Sequence, residues 1–157
     1  MQRKECKILN SFVLLKLCDN LPLRMKNANQ EIHELKGLYV SVDSIQYDPQ
    51  AQAPPDRPYA FRYTITIENL SPETVKIFGR KWIIRDKSGR VEVVEGDGVV
   101  GKTPELPPGE KFTYESYHLI LTESIAEGAY FGLTGEKKPI FTRIPLFEMH
   151  PPQEFTV

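Results

Sequence analysis

The chain is poor in cysteine. Its 157 residues include only Cys6 and Cys18, whose spacing matches neither a C-x-x-C redox pair nor a zinc knuckle. A disulfide scaffold is therefore excluded, and we expect two free thiols in a reducing compartment, the cytoplasm. A chain of this length buries an adequate core as one domain without metals or cross-links.

An excess of charge of one sign and long apolar runs are also missing. Lysine and arginine total 20 against 21 aspartates and glutamates, so the net charge of −1 gives no long-range attraction to nucleic acid or to an anionic membrane. The apolar run Phe12–Leu15 is interrupted by Lys16 and has no small-residue cleavage site after it. It is also far shorter than the roughly 20 residues that span a bilayer. We expect no nucleic-acid partner, no membrane partner and no export.

The N-terminal part differs in composition from the rest. Residues 1–36 carry seven basic and four acidic side chains, while residues 37–157 have an acidic excess. This difference predicts a poorly ordered extension over residues 1–36, a domain over 37–150 and a C-terminal tail over 151–157. An overextended start ahead of Met25 is the alternative. We expect a chain that starts at Met25 to keep the full unfolding midpoint, because untethered ends contribute little stability.

Helical periodicity is absent from Leu38 onward, where apolar residues recur with a period of two. The segment Tyr59–Asn69 shows the cleanest alternation, and turn sequences such as Pro107-Pro-Gly-Glu110 separate about seven such segments. The pattern predicts an all-β protein, an antiparallel β-sandwich of the immunoglobulin or fibronectin III type, with Trp82 in its core. Shifts of apolar phase after Val42 and near Gly79 predict a bulge or edge strand and a kinked strand.

Four segments, in this order and spacing, resemble the ApaG family. They are Phe61–Leu70, Gly79–Ile84, Gly96–Gly101 and Leu106–Glu110 followed by Phe112 and Tyr114. The resemblance covers roughly residues 37–150 and implies a fibronectin III-like sandwich. It also implies a link to cobalt resistance and magnesium efflux, as in bacterial members, or a role as an interaction module, as in eukaryotic ones. No catalytic residues are established for the family. The sequence departs from the family at Glu115–Glu123, which puts any partner contact made there in doubt.

One motif suggests a ligand. A G-x-G-x-x-G pattern of the kind that binds a dinucleotide's pyrophosphate is formed by Gly96, Gly98 and Gly101, with Lys102 next to it. Phosphate binding there would need a following helix, which Pro104 and the Pro-Pro-Gly turn exclude. We therefore expect the glycines to serve backbone geometry, with φ > 0 at Gly98 first. The alternative function is binding of a nucleotide or pyrophosphate, extending to hydrolysis of that ligand.

The residues offer little else for chemistry. Glu95 and Asp97 are hard oxygen donors that suit Mg²⁺, yet two carboxylates beside glycines are more often a solvated loop. Cobalt would prefer imidazole, and the three histidines are scattered. Ser116 and His118 share a strand face without an acidic partner, so we expect both at the surface. No catalytic residue and no cofactor is predicted, and the protein is not expected to be an enzyme.

The sequence thus predicts a non-catalytic binding module of the ApaG type with a protein partner and a link to divalent cation homeostasis. A homodimer formed across an exposed sheet edge is one form of that binding.

Overall fold

A computed structural model describes residues 31–153 of the chain. These residues form nine strands and no helix, so none of them lies in a helix that could span a membrane. The strands are His33–Glu34 (β1), Leu38–Tyr47 (β2), Tyr59–Asn69 (β3), Val75–Asp86 (β4), Val91–Asp97 (β5), Glu105–Leu106 (β6), Lys111–Ile120 (β7), Ser124–Thr134 (β8) and Pro139–Met149 (β9). The prediction of an all-β protein is confirmed.

Two sheets pack face to face as a sandwich. The larger sheet has the order β1-β9-β8-β4-β5, with β6 paired to the start of β4, and the smaller sheet has the order β2-β3-β7. All pairs are antiparallel except β1 with β9. The predicted antiparallel β-sandwich is therefore confirmed, with one short parallel pair at an edge of the larger sheet.

The core lies between the sheets. Residues Tyr63, Ile65 and Ile67 of β3 point inward, as their alternation predicts, and Trp82 of β4 meets them from the other sheet with 1% of its surface exposed. The ring centroids of Trp82 and Tyr63 are 5.3 Å apart. Apolar burial of this kind contributes about 25 cal/mol per Å² and holds the two layers together.

Both predicted irregularities are present. The register of β2 against β3 shifts between Val42 and Ser44, where the apolar phase slips. The register of β4 against β8 shifts between Ile77 and Gly79. An extra residue in one strand reverses which side chains face the core, so the sequence phase change and the bulge have one cause.

The folded unit extends further toward the N-terminus than predicted. β1 pairs with β9 through His33 and Glu34, and Ile32 and Leu35 are buried. The boundary predicted at residue 37 therefore falls inside the fold, because a two-residue strand is too short to show a period. The predictions for residues 1–30 and 154–157 lie outside the described residues.

Candidate functional site

The glycine motif lies at the end of β5 and in the turn that follows. The amide of Gly98 donates to the carbonyl of Phe78 (2.5 Å), and the amide of Val99 donates to the carbonyl of Lys102 (2.7 Å). The amide of Lys102 returns a bond to the carbonyl of Val99 (3.0 Å). A phosphate cradle needs free amides, whereas these three are already donated within the chain.

The backbone of this loop depends on glycine. Gly98 has φ 64° and Gly101 has φ 73°, which confirms the expectation that at least one motif glycine is left-handed, with Gly98 among them. Val100, at φ 50°, and Gly101 form the two central positions of a turn closed by Val99 and Lys102, as in a type I′ turn. Val99 is fully buried while Val100 is about half exposed, so the loop is anchored in the core by one side.

Arg80 of β4 lies under the motif. It pairs with Gly96 across β4 and β5, and its Nη1 donates to the carbonyls of Gly98 (2.9 Å) and Asp97 (3.3 Å). A Cβ on Gly96 would lie 2.7 Å from that Nη1, so the glycine leaves room for the guanidinium. Arg80 is a second cation near the motif, besides Lys102, and it could not be predicted because the pairing of β4 with β5 is not visible in the sequence of one strand.

Three tyrosines share the interior near Arg80. Burial raises the pKa of Tyr63, of Tyr114 and of Tyr130, and the positive charge of Arg80 opposes that rise in each. The hydroxyls of Tyr114 and Tyr130 are hydrogen-bonded to each other. With a raised pKa these phenols stay protonated at neutral pH, so they act as hydrogen-bonding groups and do not serve as bases.

The two predicted metal-binding carboxylates are adjacent on one face of β5, with Glu95 opposite Lys81 on β4. Lys81 Nζ lies 2.8 Å from Glu95 Oε1, and the lysine side chain is only 4% exposed. A cation at Glu95 and Asp97 would have to displace or repel this buried ammonium group. Within residues 31–153 no group of three or more His, Cys, Asp or Glu side chains is arranged to hold a metal.

His118 is not at the surface, and the expectation that it would be was wrong. It is 6% exposed and packs against Trp82 and Tyr63, with ring centroids 4.7 and 4.8 Å away. Its Nε2 has no hydrogen-bond partner. Burial lowers the pKa of His118 to about 4, so the ring is neutral and serves as a core side chain.

The motif glycines are expected to differ in their effect on stability. Alanine at Gly98 would combine a left-handed φ with a clash of Cβ against the Lys102 carbonyl, while Gly101 has the same kind of φ but open space around it. We expect losses of about 2–3 kcal/mol for Gly98→Ala and about 1 kcal/mol for Gly101→Ala, with Gly96→Ala smaller because Arg80 can move. Urea denaturation of the three variants measures this order. Equal losses at all three positions would contradict it.

A two-layer all-β domain, with a glycine loop closed by its own backbone and by an arginine, is the class of structure seen here. The chain belongs to the ApaG domain family, whose family model matches residues 49–132. It is 43% identical over 103 residues to the protein ApaG of Acidovorax sp. (strain JS42), covering 65% of this chain and 75% of that protein. It is 37% identical to ApaG of Citrobacter koseri, covering 72% and 90%.

Solved structures agree with this assignment. The X-ray structure of the structural-genomics target SoR45 matches with a TM-score of 0.67 and 33% identity, over 77% of this chain and 92% of that one. A Bordetella pertussis protein named ApaA matches with a TM-score of 0.67 and 32% identity, over 78% and 98%. The resemblance seen in the four sequence segments is therefore confirmed.

Proposed function

We propose that this ApaG domain is a non-catalytic interaction module of the cytoplasm, and that its protein partner adds a strand to the edge of β7. The observation that carries the proposal is the free edge itself. β7 spans ten residues and pairs with β3 on one side, and no other described strand pairs with it. An extended partner segment gains main-chain hydrogen bonds along such an edge, while side-chain contacts decide which segment fits.

Two large side chains mark this edge as a contact surface. Tyr117 of β7 is 62% exposed and Leu121, just after the strand, is 48% exposed. Tyr117 also lines a surface groove with Arg62 and the connection that follows β2. Exposed tyrosines are frequent anchors in protein interfaces. Both residues fall within Glu115–Glu123, where the sequence departs from the family, so the partner proposed here would be particular to this chain.

The link of the family to cobalt and magnesium would, in this proposal, act through the partner. The pairing of Glu95 with Lys81 supports this view, since one of the two candidate carboxylates already has a buried ammonium group beside it.

Capture from a native lysate tests the β7 edge. We expect Tyr117→Lys to lose most of the partner that the unchanged protein captures, because a lysine disrupts the apolar anchor. Tyr39→Lys is the matched control, since Tyr39 is 56% exposed on β2, at the opposite edge of the same sheet. Equal capture by both variants would overturn the choice of edge. A concentration-dependent dimer that only Tyr117→Lys dissolves would identify the partner as a second copy.

The competing hypothesis, a phosphate ligand at the glycine loop, makes a different prediction. ATP, NAD or pyrophosphate should then raise the melting temperature by mass action, and Lys102→Ala should abolish the rise. We expect no rise, because the amides of Gly98, Val99 and Lys102 are already donated within the chain.

A further inference from the structure

The outer face of the larger sheet, the side turned away from the smaller sheet, has an apolar centre. Its residues alternate with core residues along β4, β8 and β9: Ile83 follows Trp82, and Phe131 follows Tyr130. Phe131 pairs with Phe141 on β9. The centre of this outer face is Ile83, Ala129, Phe131 and Phe141, and none of the four belongs to the core cluster between the sheets.

These four side chains are more deeply buried than side chains on a sheet face that is open to solvent. Ile83 and Ala129 are 0% exposed, and Phe131 and Phe141 are 5% and 2% exposed. On the same face, at the edge strand β5, Val93 pairs with Ile83 but remains 44% exposed. Every described strand belongs to one of the two sheets, so no strand among residues 31–153 forms a further layer over this centre.

Four charged side chains on the outer face form two ion pairs. Lys81 binds Glu95, and Arg85 Nη1 lies 2.9 Å from Glu127 Oε1. The covering segment therefore does not need to neutralise these charges and must supply mainly apolar surface.

The described residues begin beside this face. The described residues start at Glu31, Ile32 is 6% exposed, and β1 pairs with β9 at Ile140 and Phe141, directly at the apolar centre. Thirty residues precede Glu31, and Phe12–Leu17 among them supplies five apolar side chains. The 13 residues between Leu17 and Glu31 reach up to about 40 Å when extended, and a five-strand sheet is about 24 Å wide.

We propose that the N-terminal segment covers the outer face of the larger sheet, with Phe12–Leu17 packed on Ile83, Phe131 and Phe141. The segment Phe12–Leu17 lies outside residues 49–132, the part of the chain that the ApaG family model matches. The proposal reverses the expectation from composition that the N-terminal part contributes little to stability.

Full-length variants test the cover. The double change Leu14→Asp and Leu15→Asp is expected to lower the melting temperature by at least 5 °C and to raise the fluorescence of the dye ANS several-fold, because the apolar centre becomes accessible. Asn10→Asp with Ser11→Asp adds the same charge to the same segment and should leave both readings unchanged. An unchanged melting temperature and dye signal in the leucine variant would overturn the proposal.

The native cysteines give a second, independent reading. In a Cys6→Ser background, Cys18 is the only thiol and lies next to Leu17. We expect its reaction with Ellman's reagent to be at least tenfold slower in native protein than in denaturant, and to become fast in the double leucine variant. A fast native reaction would overturn the proposal. A dimer seen by light scattering would also overturn the proposal if its dissociation raised ANS fluorescence while the double leucine variant kept its melting temperature and dye signal. A second copy of the chain would then be the cover of the outer face.

Discussion

Replacing Asn69 by leucine is expected to lower the free energy of unfolding by about 3 kcal/mol or more, although the two side chains are similar in size. Asn69 is fully buried at the end of β3. Its Nδ2 donates to the carbonyls of Glu73 and Leu106, each at 2.7 Å, and its Oδ1 accepts from the amide (3.0 Å) and hydroxyl (2.7 Å) of Ser71. Each buried group that loses its partner costs about 1–3 kcal/mol.

The amide ties three segments together, namely the end of β3, the turn into β4 and the strand β6. Leucine would fill the space but would remove all four of these hydrogen bonds, so the loss arises from hydrogen bonding and not from a cavity. Ser71→Ala is the matched control, since it removes one hydroxyl from the same network and should cost about 1 kcal/mol. Urea denaturation measures both losses. A loss for Asn69→Leu no larger than that of the serine variant would contradict this account.

The sequence predicted the long strands well because their physics is local. The alternation over Tyr59–Asn69 gives the bounds of β3 as the structure has them. The phase changes after Val42 and near Gly79 predicted both bulges, since a period of two fixes which face each residue takes.

Features that depend on pairing between strands could not be predicted. Arg80 lies under Gly96, and Lys81 lies beside Glu95, only because β4 and β5 pair in one register. That register is set by the turn and by the packing of the whole sheet, neither of which appears in the sequence of a single strand. The sequence therefore could not predict that Arg80 and Lys81 lie beside the residues of the candidate site.

His118 shows a signal that was present but was given the wrong weight. Along β7 the inward phase runs through Phe112, Tyr114 and Ile120, and His118 falls on that phase. The polarity of histidine favoured a surface position, whereas the strand period favoured the core. In the structure His118 lies in the core. Because His118 is held in the core without a hydrogen-bond partner for its Nε2, its protonation is expected to make the stability of the fold depend on pH.

Stability is expected to fall as the pH drops from about 6.5 toward 4, because of His118. Burial lowers the pKa of this imidazole from an ordinary 6.5 to about 4 in the folded chain. The unfolded chain therefore takes up the proton first, so the stability linked to the neutral ring is complete above pH 6.5 and is lost as the pH falls toward 4. A shift of this size corresponds to about 3 kcal/mol, at 1.36 kcal/mol per pKa unit.

Chemical denaturation at pH 7.0 and 4.5 should show this loss in the unchanged protein and a smaller one in His118→Phe, the difference being about 2 kcal/mol. Carboxylates whose pKa is lowered, such as Asp43 and Asp86, also make the protein less stable in acid. They are present in both proteins, so their contributions cancel in the comparison. His150→Gln is the matched control, because His150 is exposed and binds Glu123 and Glu148. Should His118→Phe lose as much stability between the two pH values as the unchanged protein, the buried ring would not be the group that makes the fold sensitive to acid.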